Sequence, residues 1–193
     1  MVNSKRPIDQ GLLIVVGGPG KSGSSTISKM LARHFGLNRI YAGQLMETFA
    51  KAEGFNSVIE FLAQISNEHL DELDKKIDSK ILRFSQLPNV LVESKVFAAL
   101  ASKYRIPCTI KIWLDADISV RVKRSKEGKR VESEAELSAR FNQDLEKFKR
   151  AYNIDYSSPK KYNDIVLDTS KLNVYQTFKL ILKIIEDGRY ISK

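Results

Sequence analysis

The chain has 193 residues, enough for one domain with a sizeable core, and its 42% apolar share is that of an ordinary globular protein. Its single cysteine, Cys108, excludes a disulfide framework, and one cysteine with two histidines argues against a zinc site. A net charge of +9 asks for an anionic partner; because neither basic cluster, at Arg121–Arg130 or Lys147–Arg150, is interleaved with exposed-looking aromatics or glycines in an RNA-binding pattern, nucleotide phosphates account for it better than nucleic acid.

In chain order, Met1–Gln10 lacks the apolar stretch of a secretory signal, and no later run approaches membrane-spanning length. A cytoplasmic protein without a membrane partner is expected. Leu12–Val16 is short and purely apolar, and reads as a buried parallel strand. It feeds Gly17-Gly18-Pro19-Gly20-Lys21-Ser22-Gly23-Ser24-Ser25-Thr26 and then an amphipathic helix over 25–35. That strand–turn–helix setting is what gives a phosphate-binding loop its meaning. Glycines let backbone N–H groups close on phosphate oxygens, and the helix start adds partial positive charge. Aligned as G-x-x-x-x-G-K-[ST], the outer glycines are Gly18 and Gly23, the metal-binding hydroxyl is Ser25, and Ser24 stands in the lysine slot. A second register ending in Gly20-Lys21-Ser22 would need Val15, inside the strand, as its leading glycine, and is disfavoured. In the first register Lys21 lies within the loop, either as a point charge that reaches a phosphate or as a solvated lysine.

Further strands are expected at Arg39–Tyr41, Val90–Glu93, Thr109–Leu114 and Asp164–Asp168, with helices at 43–53, roughly 58–85, 96–103, 117–124, 133–152 and 173–187. This alternation predicts an α/β domain with a five-stranded parallel sheet covered on both faces and functional groups at the strands' carboxyl ends. Pro7 ends a loose N-terminal arm. Residues from about 43 to 85 form a helical insertion that can cap a second substrate. The charged segment at about 125–132 is a lid candidate, or else a solvated loop.

Several side chains carry chemistry. Glu93, directly after Val90-Leu91-Val92, is placed to orient metal-bound water, with Ser25 as the direct magnesium ligand. Arg121, Arg124, Lys126, Lys129 and Arg130 are candidates for clamping a transferring phosphate, and one or two are expected to act. Arg140, Asp144 and Lys147 recur at i, i+4 and i+7, which suits a substrate wall or a surface ion-pair ladder. Asp115 ends a strand and is expected to cap the helix that follows at Asp117. Trp113 reads as core, and His34 and His69 as bystanders.

The order and spacing of these pieces resemble the nucleoside monophosphate kinases, and most closely the short archaeal-type cytidylate kinases. Gly23 to Leu37 follows that family's loop and first helix, and Tyr41-Ala42-Gly43-Gln44-Leu45-Met46 its monophosphate-site turn. Leu73-Asp74-Lys75-Lys76-Ile77-Asp78 matches its paired Ile-Asp segment, and Lys111-Ile112-Trp113-Leu114-Asp115-Ala116 its fourth strand. Tyr152-Asn153-Ile154-Asp155-Tyr156 followed by Tyr162 to Ser170 is the most specific match. The resemblance implies a single three-layer P-loop kinase domain over residues 1–193 with a monophosphate-binding insertion and a small lid. It implies ATP and magnesium, a monomer, and phosphoryl transfer to CMP or dCMP. Gly18, Pro19, Gly20, Lys21, Ser22, Gly23, Ser24, Ser25 and Thr26 would hold the donor. Gly43, Gln44, Lys95, Arg140, Asp144 and Lys147 would hold the acceptor, and Lys21, Glu93, Arg121, Arg124 and Arg130 would serve catalysis.

The departures fall where chemistry is expected. Ser24 replaces the loop lysine, Glu47 an arginine, Ser94-Lys95 a Gly-Arg pair, and Lys147 an arginine. Lysine lacks the bidentate fork that arginine offers phosphate. Losing one charge-stabilising contact in a water-poor site costs about 3–4 kcal/mol of barrier. The alternatives are therefore a nucleotide-binding module of this fold with weak or no catalysis, or a kinase for another small acceptor.

Overall fold

Leu13, Ile14, Val15 and Val16 are apolar in succession and wholly buried, so their strand has both faces covered. In the computed structural model, which describes residues 5–128 and 131–191, that strand is the middle of a parallel sheet. The strands are β1 (Leu13–Gly17), β2 (Asn38–Tyr41), β3 (Val90–Glu93), β4 (Ile110–Asp115) and β5 (Ile165–Asp168), ordered β2-β3-β1-β4-β5. Eight α-helices are present among the described residues: α1 (Ser24–Phe35), α2 (Ala42–Ala52), α3 (Val58–Gln64), α4 (Asn67–Phe84), α5 (Phe97–Lys103), α6 (Ile118–Lys126), α7 (Glu134–Tyr152) and α8 (Val174–Asp187). None of the described helices is long and apolar enough to cross a membrane.

Alternation along β1 divides the core. Leu13 and Val15 pack with Val90, Val92, Phe97 and the α4 residues Leu73, Ile77 and Ile81. Ile14 and Val16 pack on the other side with Ile27, Leu31, Ile112, Ile181 and Ile185. Trp113 is core as expected, in a third cluster with Phe148 and Tyr156. Cys108 is a buried free thiol whose pKa burial pushes up to about 12, so it stays protonated. The registers matter for the site. Val16 pairs with Glu93, and Gly17 with Trp113, so the turn after β1 opens between the carboxyl ends of β3 and β4. That is where the chain's winding reverses, the usual crevice of an open α/β sheet.

Two expectations are corrected. The helix expected at roughly 58–85 is broken into α3 and α4: Ile65 and Ser66 turn extended, and the Ser66 hydroxyl accepts from His69 N at 3.2 Å. Apolar periodicity runs through such a break, whereas a serine cap restarts the helix locally. Asp115 does not cap α6, because its carboxylate accepts from Ala116 N at 2.8 Å instead. Asp117 is the N-cap residue without a side-chain cap bond, and its own N–H donates to the Ser170 hydroxyl at 2.7 Å. His34 and His69 are exposed on helices.

The N-terminal arm is anchored where the structure describes it. Arg6 is buried, and its guanidinium donates to the carbonyls of Gly11 at 3.0 Å, Ser85 at 3.1 Å and Leu87 at 3.0 Å. It thereby ties the approach to β1 to the end of α4, at the amino ends of the strands and away from the crevice. Arg6→Met leaves these carbonyls without their donor. We expect a loss of about 2–3 kcal/mol of stability, read as a lower melting temperature, with nucleotide affinity unchanged.

Candidate active site

The loop after β1 has one register. Val15 lies inside the strand, β1 ends at Gly17 and α1 begins at Ser24, so Gly18 and Gly23 are the outer glycines. Gly23 takes φ +100° as the N-cap of α1, a conformation open to glycine and strained for other residues. The first helical bonds run from Thr26 N and Ile27 N to the Gly23 carbonyl, which makes Ser24 N and Ser25 N orphan donors of the helix start. A side chain at Gly20 would run into the guanidinium of Arg140.

The loop is held from behind by cations that the sequence reading assigns to a lid. Arg121 Nε donates to the Gly20 carbonyl at 2.8 Å, and Arg124 Nη1 to the Ser22 carbonyl at 3.1 Å. Thr169 Oγ1 donates to the same Ser22 carbonyl at 3.1 Å. Arg121 is only 7% exposed, and burial lowers its pKa. In this arrangement both arginines support the loop through its carbonyls, whereas Lys123 of the same helix is exposed. Lys126 is exposed, and Lys129 and Arg130 lie outside the described residues. Ser125 and Glu132 are tied together, with Ser125 Oγ accepting from Glu132 N at 2.6 Å and donating to Glu132 O at 3.0 Å. The buried Glu132 carboxylate pairs with Arg140 at 2.7 Å and Lys21 at 3.8 Å. Lys21 is therefore no solvated loop lysine.

On the opposite side of the loop, Glu93 is almost fully buried at the end of β3. It accepts from the Ser28 hydroxyl and from Arg39, whose Nε lies 2.9 Å away. Arg39 Nη2 also reaches Ser25 Oγ at 3.3 Å, and its guanidinium lies over the Tyr41 ring at 4.7 Å. A hydroxyl facing a carboxylate is a chemically suitable magnesium set. Here a guanidinium spans both groups, so the residues as arranged do not fit a protein-held magnesium ion.

Between the loop and α7 lies an open cleft of about 660 Å³. Gly17–Lys21, Ser24 and Ser25 form one wall, and Tyr41, Gly43, Met46, Asp74, Ile77, Asp78 and Phe148 line the remainder with Ser94–Val96, Arg140, Asp144 and Lys147. Arg140, Asp144 and Lys147 are not a ladder along one helix. Each pairs with another element: Arg140 with Glu132, Asp144 with Lys95, and Lys147 with Asp74 at 2.8 Å. Burial lowers the pKa of Lys95 although Asp144 opposes it. Burial also draws Lys147 down, but Asp74, Asp144 and Asp78 together outweigh it and raise its pKa. Gln44 and Thr26 are exposed and do not line the cleft, nor does the exposed Glu47.

Tyr41, Asp74, Asp78 and Glu132 line the cleft without having been singled out from the sequence, and neither was Arg39, which touches the cleft residues Glu93 and Ser25 without lining the cleft itself. Asp74 and Asp78 sit four apart in the segment matched by resemblance, a spacing that could have placed both on one helix face. Arg39 carried no such signal.

Asp78 supplies a test of this geometry. Its carboxyl pKa is raised to about 6, by burial first and by neighbouring Asp74, against the hydrogen bond from the Tyr152 hydroxyl at 2.6 Å. The folded state therefore holds this proton more tightly than the unfolded chain. Asp78's contribution to stability falls as pH rises from about 4 to about 6, by up to about 3 kcal/mol. Thermal melts of Asp78→Asn are expected to show it more stable than the parent at pH 7, with the gain shrinking toward zero near pH 4.

The chain also resembles known proteins. Residues 14–171 match the model of the cytidylate kinase-like family. The chain is 29% identical over 184 residues to a cytidylate kinase of Methanopyrus kandleri, covering 91% of this chain and 93% of that protein. It is 30% identical over 178 residues to one of Pyrococcus horikoshii, covering 91% and 88%. In fold it is similar to a shikimate kinase from Bacteroides thetaiotaomicron, with TM-score 0.64, 16% identity and 92% and 98% of the two chains covered. It is likewise similar to a thymidylate kinase from Candida albicans, with TM-score 0.60, 15% identity and 95% and 96% covered. A family match of this extent means that the chain belongs to the cytidylate kinase-like family, a branch of the P-loop nucleoside monophosphate kinases.

Proposed function

We propose that this protein, as a cytoplasmic monomer, transfers the γ-phosphoryl group of ATP to CMP or dCMP. The observation that carries the reading is one continuous cleft, with a glycine loop at a helix start on one wall and paired cations on the other. Phosphoryl transfer needs positioning and charge neutralisation more than covalent chemistry. The amides at Ser24 and Ser25 would take donor phosphate oxygens, with Arg121 and Arg124 keeping the loop's carbonyls turned away. Magnesium would travel on the donor's phosphates, where it offsets their charge. Lys95 and Lys147 would face the acceptor phosphate. Asp144, Asp74 and Asp78 would accept hydrogen bonds from base or sugar, and Gly43 leaves room beside Tyr41.

A second reading has its own support. Lys95, Lys147 and Arg140 are all engaged by carboxylates, and Ser24 replaces the loop lysine. Both features suit a nucleotide-binding protein that transfers phosphate slowly. An assay with Mg-ATP against CMP, dCMP, UMP, AMP and GMP separates the two. Turnover confined to the cytidine nucleotides is expected; ATP binding without turnover on any acceptor favours the binding module. In the same assay Lys95→Met is expected to raise KM for CMP about tenfold or more while leaving KM for ATP within about twofold.

A further inference from the structure

The corner where Ser25, Glu93 and Arg39 meet holds a cation of the protein's own. Arg39 comes from β2, two residues before the acceptor-side turn, and its head is fixed on several sides. Nε bonds Ser28 Oγ at 3.0 Å and Glu93 at 2.9 Å, Nη2 bonds Glu93 and Ser25 Oγ, and the Tyr41 ring covers one face. Swinging it out to admit a metal ion would strand the buried Glu93 carboxylate without its charge partner, which is costly. Ser25 is also the second residue of α1, next to the orphan amides of the helix start. Nη2 thus lies 3.3 Å from the hydroxyl of the residue that carries one of those amides.

The geometry points to Arg39 as the built-in phosphate cation of the donor site, standing where a loop lysine and a protein-held magnesium ion would otherwise act, so that nucleotide phosphates bind without metal. This rests on the reading of Gly18–Ser25 as the donor-phosphate loop. Arginine suits the role because its planar fork can hold Glu93 through one edge and present another to an oxygen anion. Ser24, a neutral side chain, lines the same cleft and brings no charge of its own.

The test is a fluorescence titration of the intact protein with MANT-ADP, in magnesium and in EDTA. For the parent protein we expect the two Kd values to agree within about threefold. Arg39→Met alone leaves Glu93 unpaired, so Arg39→Met/Glu93→Gln is measured beside it as a neutral pair, and Arg39→Lys as a charge-keeping change. In EDTA the double variant is expected to bind about tenfold or more weaker than the parent, with magnesium restoring part of the loss, and Arg39→Lys to fall between. A role confined to folding would lower melting temperature without changing the response to metal. Parent binding that weakens tenfold in EDTA overturns the proposal, as does a double variant that binds like the parent there. Both of those outcomes keep the nucleotide site. Absence of MANT-ADP binding under every condition overturns the donor-loop reading itself, and this proposal with it.

Discussion

Burial of β1 on both faces is the constraint on which the rest depends. A strand with no solvent-facing side must lie between neighbours and beneath helices, and a parallel arrangement then sends its carboxyl end to the same edge as theirs. Here that edge receives the glycine loop, Glu93 at the end of β3 and the start of α6 after β4. The crevice is a product of this topology before any functional side chain is added. Glycine at position 23 then lets the chain turn directly from strand to helix, leaving unpaired amides at the point where the sheet opens.

The cleft is assembled from ion pairs between elements. Glu132 joins the turn after α6 to the loop and to α7, Asp144 joins α7 to the segment after β3, and Lys147 joins α7 to α4. Glu93 joins β3 to β2 through Arg39. Each pair offsets the cost of taking charges from water, and together they hold the walls in a defined geometry. A ligand phosphate entering such a site must share or exchange these partners, so affinity here is a matter of competition between carboxylates and phosphate. Lysines at positions 95 and 147 suit that exchange, since a flexible ammonium can turn from one partner to another.

Much of the fold was legible in the chain itself. The five strands came from apolar runs, and their alternation with amphipathic segments required a parallel sheet. The break at Ile65–Ser66 was not legible, because an apolar stripe continues across a one-residue cap. The phosphate loop was legible because its glycines are separated by a fixed spacing that only a strand–turn–helix can use. Arg121 and Arg124 were visible as a basic segment, yet their direction was not. Whether an arginine on a helix faces solvent or a neighbouring carbonyl depends on how that helix packs.

The sequence by itself determined the layered α/β class and a glycine-rich turn between a buried strand and a helix, with serines at 24 and 25, since each follows from short-range pattern and residue chemistry. The tertiary structure alone decided which charges meet. Arg39 and Glu93 are 54 positions apart, Lys95 and Asp144 are 49 apart, and Lys147 and Asp74 are 73 apart. Such pairings depend on strand order, register and helix rotation, which no local spacing encodes, and they convert a basic chain into a cleft with fixed cations and carboxylates on opposing walls.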